Sequence, residues 1–359
     1  MQSKNKVIIA AAGSGKTTYL VEETIKKHLR KILILTFTNK NKLEIIKKFN
    51  EMQGYLPSNV EVKTWYSFLL SDCIRPYQKN VYSDKRIDNV FFRDKPANKY
   101  IKKSNIEAYY LQNKSQIDKD RISDFAIQCF DKSIGRAIKR LEEIYDYIFI
   151  DEVQDMSGYD LDIFQIFFTS KINMVLVGDI RQATFSTSNT PKNKKYRGIN
   201  IIDFFRDQEK KSKCKIEGLY HSHRCNQIIC DFSDNMFSHL SPTKSLNNKN
   251  TDHDGIFIIK TKDLLKYREK FNPQVLRYDS RVKIDQAINF GESKGLTFDR
   301  VLIKPTKKME QYLETSEMFL DDVTLAKFYV AVTRARYSVA FISDIESINV
   351  NGVTKYTFN

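Results

Sequence analysis

The chain has 359 residues, 41% hydrophobic and 29% charged, with 59 Lys and Arg against 44 Asp and Glu for a formal net charge of +15. This length can bury two sizeable cores. No run approaches the ~18 apolar residues of a membrane span, and the polar start from Met1 to Lys6 lacks the apolar region of a signal peptide, so the expectation is a cytoplasmic protein. The basic excess favours a polyanionic partner, although a solvated basic surface explains the same composition. Cys73, Cys129, Cys214, Cys225 and Cys230 form no CxxC pair and read as reduced thiols.

Val7 to Thr18 reads VIIAAAGSGKTT, an apolar run that breaks into a glycine-rich turn and then a helix-forming segment. Strand, turn and helix in that order make a phosphate cradle, because small residues let backbone N–H groups close on an anion and the helix N-terminus adds positive potential. The cradle is Ala11, Ala12, Gly13, Ser14 and Gly15, with Thr18 following on the helix. Lys16 is placed to reach the β and γ phosphates and Thr17 to hold Mg²⁺. Ala10 stands where the P-loop pattern has glycine, and its small size meets the same need.

Lys31 to Phe37, KILILTF, has the signature of a fully buried parallel strand. It delivers Phe37, Thr38 and Asn39 to the carboxyl edge of an open α/β sheet, where ligands bind; helix capping is the commoner fate of Thr38 and Asn39. Val60 to Thr64 is a further strand, and Trp65, the only tryptophan, follows Thr64. Core packing is the default for a lone tryptophan, while its place at a strand end invites base stacking. From Ser71 to Arg140 the chain turns polar, basic and aromatic, with Arg75, Tyr77, Lys79, Arg86, Phe92, Lys99 and Lys103 among the interleaved residues. This reads as an inserted, mostly helical subdomain, either a path for single-stranded nucleic acid or a solvated surface over its own small core.

Tyr147 to Asp155, YIFIDEVQD, restores the buried strand and ends on Asp151 and Glu152. Beside a P-loop, the first carboxylate orients the Mg²⁺ shell and the second polarises the attacking water. Asn173 to Asp179 is another strand of the sheet, and Gln182 just past it can hydrogen-bond both a γ-phosphate and that water. Phe205 to Lys213, containing RDQEKKSK, is expected to link to a second lobe. There, strands at Cys214 to Leu219, Gly255 to Lys260, Gln274 to Tyr278, Asp299 to Lys304 and Ser338 to Ile342 alternate with helices, so the fold class is α/β with parallel sheets. His221, His223, Cys225 and Cys230 match no zinc spacing.

In order, AAAGSGKT, ILTFTNKNKLEIIKKF, TWYSF, DEVQD, VGDIRQATF, LYHSHRC, ESKGLTFDRV and YVAVTRAR resemble the motifs of the UvrD/Rep/PcrA-like branch of superfamily 1 DNA helicases. The resemblance implies two RecA-like P-loop domains that use ATP and Mg²⁺ and bind single-stranded DNA. It assigns residues 1–70 and 141–211 to the first domain, 71–140 to a helical 1B-like insertion, and 212–359 to the second domain, with 231–282 a vestige of the accessory domain 2B. It gives Lys16 and Thr17 to phosphate and metal, Asp151 to the metal shell, Glu152 to water activation, Gln182 to γ-phosphate sensing, and Arg224 and Arg334 to the phosphates, Arg334 as arginine finger. Gln154, His223 and Gly295 fall at nucleotide-binding positions, and Phe37, Thr38, Asn39, Thr64, Trp65 and Phe185 at DNA-contacting ones. The implied activity is ATP hydrolysis coupled to 3′-to-5′ movement on DNA, in repair or antiviral defence.

Departures accompany the matches. Fifteen residues precede Lys16, which leaves Gln2 as the substitute for the family's adenine-reading glutamine motif. His223 stands where the family has a nucleotide-stacking tyrosine, and Thr187 where it has a base-stacking tryptophan. The compact form is also similar to the UvrD-like subunits of Gabija phage-defence systems. This supports an alternative reading, a nucleotide-gated DNA sensor that activates a nuclease or other effector.

Overall fold

In the computed structural model, residues 4–93 and 100–358 are described; Gln2 and Lys99 lie outside them. The chain divides into two compact units, one of Met1–Ile9, Lys16–Gly178 and Phe185–Glu217, the other of Ala10–Gly15, Asp179–Thr184 and Gly218–Asn359.

The first unit is built on β1 (Lys6–Ala10), α1 (Lys16–Ile25), β2 (Ile32–Thr36), α2 (Asn39–Gln53), β3 (Val60–Thr64) and α3 (Trp65–Phe68). β2 is buried at every position, and each such aliphatic side chain contributes roughly 1.5–3 kcal/mol by leaving water. The Thr38 hydroxyl accepts from the Asn41 N–H at 3.1 Å and so caps α2. Then come β4 (Asn89–Phe91), α4 (Ile106–Tyr110), β5 (Leu111–Gln112), β6 (Gln116–Asp118), α5 (Ile122–Lys132), α6 (Arg136–Ile144), β7 (Tyr147–Ile150), α7 (Asp160–Thr169), β8 (Asn173–Gly178), α8 (Ile201–Lys210) and β9 (Lys215–Leu219). The main sheet runs β3-β2-β7-β8-β1-β9, and the pairs among its first five strands are parallel. Parallel pairing puts the carboxyl ends of β1, β2, β3, β7 and β8, each followed by a motif, along one edge.

Two local expectations change. The insertion carries a three-stranded sheet, β4-β6-β5, besides its helices; strands of two or three residues are too short to show an alternating pattern. The expected linker from Phe205 is not a linker, because α8 runs to Lys210 and buries Ile201, Ile202, Phe204, Phe205 and Gln208, so its charges are the solvent face of an amphipathic helix.

The second unit continues with β10 (His221–Ser222), α9 (Gln227–Asn235), β11 (Lys244–Ser245), β12 (Gly255–Ile259), α10 (Leu264–Phe271), β13 (Gln274–Arg277), β14 (Ile288–Asn289), β15 (Phe298–Lys304), α11 (Lys307–Thr315), α12 (Asp322–Val332), β16 (Ala335–Ile342) and β17 (Val353–Lys355). Its parallel sheet runs β14-β13-β15-β16-β12-β17. β12 and β13 both fall inside 231–282. That stretch, read from sequence as a vestige of an accessory domain, therefore builds the sheet itself. No helix among the described residues is long and apolar enough to cross a membrane, and all five cysteines are buried free thiols.

Buried His253 is stacked between Phe257 and Phe271, with ring centroids 4.2 and 3.7 Å away. Its Nε2 lies 2.6 Å from the Tyr267 hydroxyl. Burial, then the Arg300 guanidinium, push the imidazole down to about 4. An unfolded histidine titrates near ~6.5, so between these values the unfolded chain holds the extra proton and stability falls as pH drops from ~6.5 toward 4. Thermal melts across that range are expected to show a smaller fall in midpoint for His253→Phe than for the unaltered chain; equal slopes would remove His253 from the effect.

Candidate functional site

The apolar β1 opens into a turn in which Gly13 and Gly15 take φ of 71° and 78°, a region open to glycine at little cost. A Cβ on Gly13 would stand 2.5 Å from Arg224 Cβ and 2.8 Å from Ser222 Oγ. Within the second unit, the Gly13 carbonyl accepts from the His223 N–H at 2.9 Å, and the Ala12 N–H donates to the Tyr329 hydroxyl at 3.3 Å. The Ser14 hydroxyl is buried without a hydrogen-bond partner. Lys16 then opens α1, partly exposed together with Thr17 and Thr18. An orphaned hydroxyl in a glycine turn at a helix N-terminus, with a lysine beside it, fits a phosphate chain.

At the end of β7, Asp151 is 5% exposed and accepts from the Glu152 N–H at 3.0 Å. Glu152 adopts φ 56°, uncommon for a residue with a side chain, and strain of this kind persists where surroundings enforce it. Gln154 Nε2 donates to the Glu152 carboxylate. Gly178, ending β8, is packed so closely on Val153 and Gln154 that a Cβ has no room. Asp151 and Thr17 carry the hard oxygen ligands that Mg²⁺ prefers. Among the described residues no group of three or more His, Cys, Asp or Glu is assembled as a metal site; His221 and His223 are exposed, whereas Cys225 and Cys230 are buried.

Past β8, the buried Asp179 carboxylate accepts from Gln182 Nε2 at 2.7 Å and from the Arg181 N–H at 3.1 Å, with the Tyr329 hydroxyl 3.5 Å away. A polar chain thus runs from the Ala12 amide through Tyr329 and Asp179 to Gln182. Arg181, equally buried, donates to the Ser241 carbonyl and lies 3.5 Å from Asp234.

Arg334 is 1% exposed, and its guanidinium bonds neutral acceptors alone: the Val330 carbonyl at 2.9 Å, the Leu296 carbonyl at 3.3 Å and the Thr333 hydroxyl at 3.3 Å. Arg224 donates to the Thr333 carbonyl at 3.1 Å. Burial, then the Arg224 charge, push Arg334 down to about 9, so it remains a cation at neutral pH. Among the described residues neither of these neighbouring cations has a carboxylate within ion-pair distance, and Asp179 acts on Arg334 at longer range. Gly295 is exposed at φ 88° with nothing within 4 Å of where its Cβ would stand, and it precedes Leu296, whose carbonyl accepts from Arg334.

The residues assigned to DNA separate into two sets. Phe37 and Phe185 come together, centroids 4.8 Å apart, with Phe185 47% exposed. Tyr66 and Phe92 extend the row at 5.6 and 5.9 Å, and Phe92, one of the insertion residues offered as a nucleic-acid path, is 64% exposed. Tyr66 is not singled out by the sequence, because nothing local distinguishes it from the neighbouring Trp65 and Phe68. Thr38 and Asn39 are exposed at the start of α2, and Thr64 caps α3. Trp65 needs correction: it is fully buried against Phe68 and Phe164, and its indole N–H donates to the buried Asp160 at 2.9 Å. It therefore presents no ring face to a base. Thr187, at the family's tryptophan position, also donates to Asp160, at 2.5 Å.

A parallel sheet, a glycine turn opening a helix with Gly-Lys-Thr, and an acidic strand end on the same sheet edge define a P-loop nucleotide-binding fold. A family model described as AAA domain matches residues 1–187, and the chain belongs to that family. The Gabija protein GajB of Bacillus cereus (strain VD045) is 29% identical over 260 residues, 67% of this chain and 48% of that protein, so the chain spans about half the length of this curated relative. Among solved structures, arterivirus nonstructural protein 10, a helicase, matches with a TM-score of 0.50 and 14% identity over 95% of this chain and 60% of its own. The PRRSV helicase gives 0.47 and 17% over 95% and 52%. The likeness to the arterivirus protein is one of fold.

Proposed function

We propose that the protein is a UvrD-like motor that couples ATP hydrolysis to 3′-to-5′ movement along single-stranded DNA, with 71–140 as an insertion in the first RecA-like domain, whose sheet includes β9, and with the second RecA-like domain following β9. The observation that carries the reading is the sheet edge, where the P-loop after β1, the Asp151–Glu152 pair after β7 and the Asp179–Gln182 turn after β8 all emerge. In this account the turn amides and Lys16 bind the triphosphate, and Thr17 and Asp151 hold Mg²⁺. The metal, when bound, supplies charge stabilisation on the phosphate oxygens. Glu152 accepts the proton of the attacking water, Gln154 orients that carboxylate, and Gln182 reports the γ-phosphate through Asp179. Arg224 and Arg334 supply positive charge as negative charge develops.

Single-stranded DNA is favoured by the exposed aromatic row and by the net charge of +15. Phe185→Ala is expected to weaken binding of an oligothymidylate by ~1–3 kcal/mol, the range for a lost base–aromatic stack, measured by fluorescence anisotropy at fixed salt. Unchanged affinity in Phe185→Ala and in Phe92→Ala would remove the aromatic row from the DNA path.

A second reading rests on the similarity to GajB: the same apparatus serves as a nucleotide-gated DNA sensor in antiviral defence, whose output is a nuclease or other effector. Under that reading the site and aromatic row keep their roles, and turnover alone produces no movement.

A further inference from the structure

A cavity of about 610 Å³ opens in the insertion of the first unit, outside the nucleotide site and the aromatic row. Four of its lining residues are basic, Arg75, Lys79, Arg86 and Arg136, and none is acidic. No carboxylate lies within ion-pair distance of any of the four among the described residues. This contrasts with other charges of the insertion, where Lys103 pairs with Asp124 at 2.6 Å, Arg93 with Asp118, and Asp72 with Lys63 of β3 at 2.9 Å. Those three carboxylates are taken by other cations.

Two of the cavity's cations, Arg75 and Arg136, are held in place by backbone carbonyls, Arg136 by that of Ser133 at 3.2 Å. Arg75 Nε donates to the Ile87 carbonyl at 3.0 Å and Nη2 to the Asp88 carbonyl at 2.6 Å, so its planar fork is fixed with Nη1 uncommitted. Buried Gln78 ties down the opposite loop, donating to the Lys85 carbonyl at 2.9 Å and accepting from the Ile87 N–H at 3.0 Å, which sets Arg86 between two anchored residues. Arg136 is the first residue of α6, where the helix end is itself positive and a cation is unfavourable in isolation. The Tyr77 hydroxyl donates to the Arg136 carbonyl at 3.0 Å, which fixes a half-buried aromatic ring on the cavity wall.

Converging like charges repel, and the arrangement is relieved by a polyanion with several oxygens. Guanidinium forks favour phosphate, the tyrosine ring offers a stacking surface, and the volume lies in the ~300–1,000 Å³ range of small-ligand pockets. We propose that this cavity is a second, non-catalytic site for a nucleoside phosphate, taken either as a free nucleotide or as the phosphorylated terminal nucleotide of a strand. It does not depend on the motor reading.

The test uses the full chain carrying Lys16→Ala, to silence the P-loop, with and without Lys79→Glu and Arg86→Glu. Both added positions are exposed, and among the described residues neither side chain makes a hydrogen bond or ion pair. Calorimetric titration with ATP and with a 5′-phosphorylated oligothymidylate is expected to show binding of at least one, weakened about tenfold or more by the charge reversals. Melting temperature and the unstimulated ATPase of the doubly reversed protein with Lys16 intact should be unchanged. Binding of ATP alone assigns a free nucleotide; binding of the oligonucleotide that is lost with a 5′-hydroxyl end assigns a strand terminus. No binding of either probe, binding indifferent to both reversals, or oligonucleotide binding indifferent to the 5′ phosphate with no ATP binding would overturn the proposal.

Discussion

Arg334→Ala is expected to bind ATP and fail to turn it over, with kcat reduced by ~10³-fold or more, the loss typical when an arginine finger is removed in phosphoryl transfer. The structure supplies the reason. A guanidinium that is 1% exposed and bonded among the described residues to neutral acceptors has its charge offset only at longer range, by Asp179. Such a charge costs stability in the empty protein and gains it back when an anion arrives. Because the side chain also ties α12 to the Leu296 turn, the variant must be compared with Arg334→Lys, which keeps the charge and loses the fork. Folded Arg334→Lys protein with strongly reduced kcat supports the phosphate role; full turnover by either variant would refute it.

Trp65→Ala is expected to destabilise the first unit by ~3–5 kcal/mol, the range for emptying a large aromatic site in a core. The indole is fully buried, and its N–H is one of four donors to Asp160, the others being the Ser123 and Thr187 hydroxyls and the Ser157 N–H at 3.4 Å. Burial raises the Asp160 carboxyl above the ordinary carboxylate range, and these donors oppose that rise. The cluster joins α3, α5, α7 and the segment after β8, so its loss is felt across the unit. Trp65→Phe keeps most of the ring and loses the donor, for a smaller cost of ~1–3 kcal/mol. Denaturant unfolding decides the matter. Native stability in Trp65→Ala combined with loss of single-strand binding would restore the stacking role that burial argues against.

Much of the fold was legible because its central strands are buried on both faces: Ile32–Thr36, Tyr147–Ile150 and Asn173–Gly178 are continuous apolar runs, and each announces the motif at its carboxyl end. The P-loop was legible because two residues must take positive φ, and glycine is the residue that does so freely. What escaped notice depends on partners distant in the chain. Trp65 and Asp160 are 95 positions apart, and nothing local marks that aspartate as the acceptor which draws the tryptophan inward. Phe92 joins Phe37 and Phe185 through Tyr66 although three separate segments supply them. The charge run in α8 masked an amphipathic helix, because its apolar face sits in the first turns and the charges cluster at the end. Arg224 and Arg334 were placed by motif, and their shared lack of a carboxylate within ion-pair distance among the described residues required coordinates.

The most direct measurement is steady-state ATP hydrolysis by the purified chain with no nucleic acid, with single-stranded DNA, with duplex DNA and with RNA, using Glu152→Gln as control. The account predicts strong stimulation by single-stranded DNA and its loss in Glu152→Gln, by the ~10²–10⁴-fold that a positioned general base contributes. Hydrolysis that survives in Glu152→Gln would contradict the active site assigned at this sheet edge. Hydrolysis indifferent to every nucleic acid would contradict the motor and leave the sensor reading.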